Sequence, residues 1–167
     1  MFLKLRGFSG VGADFGPSFT PHAIIGNVFI PFDPHGCIPF TLPPTPNDVT
    51  ETDGFAMVWI PLIIRGACDF DTKVFNAQIA GAPAAMIYDD YINGTTAGVM
   101  QPAHNGLVIT IHSMLLSNVD GVDIVASVAS SLYPVAAFFQ AEGEHATRIC
   151  IILIVCVFVC LSIPCCI

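Results

Sequence analysis

Five histidines, seven cysteines and an excess of acidic residues are the side chains here that could do chemistry, and their spacing narrows what that chemistry is. His22, His35, His104, His112 and His145 are scattered. No His-Glu-x-x-His zinc pair, Gly-x-Ser-x-Gly elbow, phosphate-binding loop or dinucleotide fingerprint occurs. His112 beside Ser113 suggests a base and a nucleophile, but neighbours on a strand point to opposite faces and cannot pass a proton. The expectation is therefore no catalytic residue, no bound metal and no cofactor.

The cysteines fall into two sets. Cys150, Cys156, Cys160, Cys165 and Cys166 lie in an apolar tail with no histidine or carboxylate near enough in sequence to complete a metal site. They read as small apolar residues of a membrane helix. Cys165 and Cys166 are candidates for S-acylation, whereas Pro164 breaks the prenylation pattern. Cys37 and Cys68 are left in the body of the chain, either as one bridge or as two buried free thiols. A bridge closing a loop of about 30 residues would contribute roughly 3 kcal/mol.

Recognition chemistry is a better match for Asp89-Asp90-Tyr91-Ile92-Asn93, which sets two charges and an aromatic at the end of an apolar run. Loops on a rigid scaffold are where binding concentrates. This rim, with His104 and Asn105 on the next polar stretch, is a candidate contact for an extended peptide, the acidic pair selecting a basic ligand. The alternative is a solvated turn, since Asp pairs are common there. Asn93-Gly94-Thr95 is also an N-glycosylation acceptor.

Elements able to hold these residues can be traced along the chain. Residues 1–14 are Gly-rich and unpatterned and read as a loose leader. Ile24 to Phe32 is a strand between Gly/Pro punctuators. Pro39 to Gly54 is an exposed loop, too rich in proline for helix or central strand. Phe55 to Ile64 is a buried strand in which Pro61 forces an edge or a bulge. Asp71 caps a helix from Thr72 to about Ala82, whose apolar face holds Val74, Phe75, Ala77 and Ile79 while Lys73 and Asn76 point away; Gln78, on that face, needs internal partners. Ala84 to Tyr88 and Leu107 to Ile111 are further strands, Ser117 to Ser127 a short helix, and Leu132 to Phe139 a closing strand.

Hydrophobic residues make up 54% and charged residues 11%, with mean hydropathy +0.73, which is too apolar for an average soluble domain. Residues 149–167 carry no charge and, at about 1.5 Å per helical residue, reach roughly 28 Å, close to a bilayer core. The expected organisation is a domain over 15–140, a linker over 141–148 and one transmembrane helix over 149–167. No secretory leader is visible. A net charge of -8 disfavours nucleic acid and anionic membrane surfaces. Arg148 before the span places the domain in the cytosol by the positive-inside rule, whereas the sequon and the cysteine pair place it in the lumen, the side adopted here.

The run Arg65-Gly66-Ala67-Cys68-Asp69-Phe70 and the helix after it resemble the signature of the protease-associated (PA) domain. Arg65, Gly66, Cys68, Phe70, Lys73, Val74, Ala77, Gln78, Ala80, Gly81 and Ala82 all stand where that pattern has them, and the resemblance extends from about Phe15 to Val125. It implies an α/β, β-rich body of two packed sheets with short flanking helices, and a non-catalytic protein- or peptide-recognition role. It also implies a Cys37–Cys68 disulfide, because membrane-anchored members carry a cysteine after an Asp-Pro turn, here Asp33-Pro34-His35-Gly36-Cys37. Such domains occur in vacuolar sorting receptors and single-pass RING ubiquitin ligases of the endomembrane system (endosome, vacuole, Golgi) or cell surface. The rival readings are a fragment of a signal-peptide-peptidase-like intramembrane aspartyl protease and a truncated structural membrane glycoprotein. Pro61, Pro83 and the looser stretch Leu107 to Ser117 depart from the pattern.

Overall fold

The computed structural model describes residues 4–17, 24–44, 58–103, 106–131, 135–141 and 146–153. Seven strands and two helices run in the order β1 (Lys4–Gly12), β2 (Ile24–Phe29), β3 (Trp59–Ile64), α1 (Phe70–Ile79), β4 (Ala84–Tyr88), β5 (His112–Leu116), α2 (Asn118–Ser130), β6 (Val135–Ala141) and β7 (Ala146–Leu153). The strands form one closed barrel, β1-β5-β4-β3-β2-β6-β7, with β7 returning to β1. This corrects the expectation of two packed sheets.

Strands β2, β3, β4 and β5 are mutually parallel, and their short apolar runs suit burial on both faces. Alternation along them divides the core. Leu62, Met86, Met114 and Leu116 join Phe8, Val28, Val135 and Ala137 in one cluster drawn from six strands, which fills the barrel together with Ile124 of α2. Ile63, Ala85, Ile87 and Leu115 face the other way and pack under Val74 and Ala77 of α1.

The expected leader is strand β1, which pairs with β5 from Gly10 to Gly12 and with β7 from Lys4 to Val11. Its glycines hid it from pattern reading. They also let the strand close the barrel, because a Cβ at Gly10 would sit 3.0 Å from Met114 and 3.2 Å from the Leu115 carbonyl. Pro61 lies in an interior strand rather than at an edge: it is the last residue paired with β2, and pairing with β4 starts at Leu62. The strand expected at Leu107 to Ile111 is β5, starting at His112. Residues 107–111 run beside α1 instead, where Gln78 donates to the Val108 carbonyl (3.0 Å) and accepts from the Thr110 amide (2.6 Å).

The domain boundary at 15–140 is too narrow, because β1 and β7 lie beyond it. Ala146 to Arg148 of the expected linker and Ile149 to Leu153 of the expected span are paired in β7. A continuous apolar run reads equally as buried strand or helix, so composition alone could not separate the two. Residues 154–167 lie outside the described residues. Among the described residues, no helix is long and apolar enough to cross a membrane.

Antiparallel pairing of β1 to β5 and β7, and of β6 to β2 and β7, gives β7 the direction of the four parallel strands. The loops after β2, β3, β4 and β5, and the chain after Leu153, therefore all leave from one end of the barrel.

Candidate functional site

That end gathers the signature residues. After β2, Asp33 folds the chain into a tight turn: its carboxylate accepts the backbone N–H groups of His35 (3.1 Å), Cys37 (2.8 Å) and Ile38 (3.2 Å), and Gly36 takes φ +60°. Burial pushes this carboxyl up, but the three N–H donors outweigh it and hold the pKa below the ordinary value. Asn76 of α1 donates to the Gly36 carbonyl at 2.9 Å. The turn thus lies against α1.

After β3, Gly66 (φ +94°) and Ala67 (φ +66°) turn the chain back toward α1. Cys68 bonds to Cys37 in a disulfide with Cα atoms 5.8 Å apart. Lys73 joins the same two loops a second time. Its Nζ donates to the His35 and Gly66 carbonyls, both at 2.6 Å, and lies 3.7 Å from the Cys37 sulfur. Lys73 and Asn76 are buried rather than pointing outward, because the turn after β2 crosses that side of α1; Ile79, placed on the apolar face by periodicity, is 54% exposed. Burial pushes the Lys73 ammonium down to about 8, against the opposing pull of the Asp33 and Asp90 charges.

Helix α1 starts two residues earlier than expected. Asp69 occupies the N-cap position, and Asp71 sits in the first turn, where its carboxylate accepts from the Thr72 amide (2.9 Å) and the Ala103 amide (3.1 Å). The helix ends where Gly81 takes φ +91°. There the Ala82 N–H bonds to the Ala77 carbonyl and the Gly81 N–H to that of Gln78.

Arg65 couples the loops after β3 and β4. One guanidinium nitrogen contacts both oxygens of Asp89 (3.1 and 3.2 Å), Nε lies 3.7 Å from Asp90, and the planar group stands 5.6 Å from the centre of the Phe70 ring. Asp89 therefore does not serve the rim as expected. It is buried, with its charge neutralised inside the fold; burial raises its carboxyl, and the Tyr91 N–H and Arg65 overcome that to leave it lowered. What the rim presents is Asp90, half-exposed, with Tyr91 at 75% and Ile92 at 78% exposure.

Asn118, at the start of α2, holds this rim in place. Its side chain donates to the Asp89 carbonyl (2.8 Å) and accepts from the Asn93 amide (3.0 Å). The Val119 amide bonds to the Gly94 carbonyl at 3.1 Å. Asn93 takes φ +60°, a conformation asparagine tolerates, and it and Thr95 are exposed. His104 and Asn105 lie outside the described residues. Sequence reading missed Asn118, although Ser117 with Asp120 three residues on is a helix-start pattern that marks the position; the Ser117 hydroxyl accepts from the Asp120 amide at 3.1 Å.

A second feature of this end went unread. Phe29, Phe32, Ile38, Pro39 and Phe40 line a cleft of about 450 Å³, with Phe32 fully exposed and Ile38 66% exposed. A smaller hollow of about 330 Å³ lies elsewhere, between Phe15, Asp71, Pro102 and Ile109. Ser113 is buried in β5, its hydroxyl without a hydrogen-bond partner, while the His112 ring meets the Pro17 carbonyl at 3.2 Å. Among the described residues no group of three His, Cys, Asp or Glu side chains could hold a metal ion.

Comparison with known proteins agrees with the signature. The sequence pattern of the PA domain matches residues 25–124. The receptor homology region, transmembrane domain- and RING domain-containing protein 1 of Arabidopsis thaliana is 34% identical over 115 residues, covering 68% of this chain and 34% of that protein. The E3 ubiquitin-protein ligase RNF149 of Xenopus laevis is 28% identical over 139 residues, covering 78% of this chain and 34% of that one. The chain thus spans about a third of the length of these two relatives. Among solved structures, the zinc aminopeptidase BSAP from Bacillus subtilis matches 90% of this chain and 33% of its own, with TM-score 0.47 and 14% identity. With the Arg65-to-Ala82 signature, the disulfide and the match over residues 25–124 in agreement, the chain belongs to the PA domain family.

Proposed function

We propose that this chain is a non-catalytic recognition domain for polypeptides, held on the lumenal side of an endomembrane or the cell surface. In a longer product it recruits the substrate of a membrane RING ligase, or the cargo of a sorting receptor. The observation that carries this reading is the rim Asp90-Tyr91-Ile92. Exposed aromatic and aliphatic side chains beside one half-exposed carboxylate sit on a turn whose backbone is fixed by Asn118 and by the Arg65–Asp89 pair. A pre-organised loop of this kind loses little entropy on binding. The carboxylate favours a basic residue in the ligand, and Tyr91 offers a flat apolar anchor.

A peptide library screened against the full chain tests it. Basic peptides with an apolar neighbour should be enriched, and Asp90→Ala with Tyr91→Ala should weaken binding about tenfold or more, equivalent to about 1.4 kcal/mol. Affinity and salt dependence unchanged in that double variant would place the ligand elsewhere.

A further inference from the structure

The loop after β2 is built to show apolar side chains. From Ile30 to Pro44 it holds one formally charged residue, Asp33. The Asp33 carboxylate is taken up by three backbone N–H groups of its own turn. What remains facing outward is Phe32 (104% exposed) and Ile38 (66%), with exposed Pro39 beside them. Leaving a Phe or Ile in water forgoes roughly 1.5 to 3 kcal/mol of burial each, which makes this exposed group a candidate docking surface.

Strand order indicates what covers it. β2 stands two places from β7 in the barrel, in the order β2-β6-β7, and both strands end at the same end. Beyond Leu153 the chain continues through residues 154–167 without a charged side chain. The loop after β4, with Tyr91 and Asn93, rises from the far side of the barrel, three strands from β7 one way and four the other.

We propose that Phe32 and Ile38, with Pro39, seat in the interfacial layer of a zwitterionic lipid bilayer, tilting the barrel so that the Tyr91 and Asn93 loop stands clear of it. Exposed aromatic and aliphatic side chains partition to that layer. A net charge of -8 supplies no attraction to anionic lipid, so apolar contact carries the docking. The tilt also keeps the Asn93 sequon, which the proposed lumenal side would open to glycosylation, clear of the bilayer. The inference rests on the reading that the apolar residues after Leu153 enter the bilayer.

The test uses the full chain in phosphatidylcholine vesicles brominated on the acyl chains. The chain has one tryptophan, so wild type provides the background and Phe32→Trp and Tyr91→Trp each add one reporter. The reporter at position 32 should shift to the blue and be quenched at least twofold, and that at position 91 should be unaffected. Co-flotation with vesicles but no quenching at position 32 overturns the docking alone and points to a protein partner on this surface. Failure to co-float overturns the anchor reading and the docking together.

Discussion

Lys73 is the residue on which the motif end most depends. Its ammonium bridges two backbone carbonyls from the loops that Cys37 and Cys68 also join, so a covalent link and charge-assisted hydrogen bonds constrain the same junction. Lys73→Met would take the ammonium donor from the His35 carbonyl, while the Gly66 carbonyl keeps the Cys68 N–H (2.9 Å), and should lower stability by about 1 to 3 kcal/mol. The pH dependence has a definite sign. With the folded value near 8 and the ordinary value 10.5, the unfolded chain binds more protons between them. Stability contributed by Lys73 should therefore rise from about pH 8 to pH 10.5. Urea unfolding at pH 7 and pH 9.5 should show that rise in wild type and not in Lys73→Met; equal slopes would mean the ammonium is not held as described. Sequence pattern supplied Lys73 as a family position but placed it on the solvent side. Helical periodicity locates the face turned to the sheet, and it cannot see a disulfide-bonded loop laid over the opposite side.

At the scale of elements, α2 and the Asn93 turn form one unit. Gly121 lets α2 lie on β4, because a Cβ there would come within 2.2 Å of Tyr88. Gly121→Ala gains about 1 kcal/mol of helix propensity, and overpacking of about 1 to 3 kcal/mol or more outweighs it at so short a contact. The variant should unfold at lower urea concentration and loosen the Asn93 turn, read by amide exchange. A gain in stability would contradict the packing. The same turn presents Asn93 and Thr95 outward, so cells that carry the chain into the secretory pathway should glycosylate it. Endoglycosidase should shift its gel mobility, and Asn93→Gln should abolish the shift; identical mobility of the two proteins would argue against lumenal exposure. Ala84 to Tyr88 and the core of α1 were legible because apolar runs and periodicity are local signals. β1 was not, since a glycine-rich strand gains its order only from β5 and β7, far away in sequence. Asp89 and Asp90 look alike in sequence, and only the tertiary position of Arg65, 3.1 Å from Asp89 and 3.7 Å from Asp90, goes with one being buried and the other half-exposed.

The whole molecule is a closed barrel with its variable chemistry at one end. Four parallel strands deliver the Asp33 turn, the Arg65-to-Cys68 turn, the Asp90-to-Asn93 rim and the start of α2 to that end, and closure leaves no unpaired sheet edge among the described residues for a peptide to extend. The proposed recognition then falls to side chains of loops on a fixed frame. Amide hydrogen exchange of the full chain, with and without a saturating peptide selected as above, tests this most directly. Protection gained at residues 90–94, with β2 to β5 unchanged, is the predicted result; protection confined to other loops, or none at all with bound peptide, would contradict it.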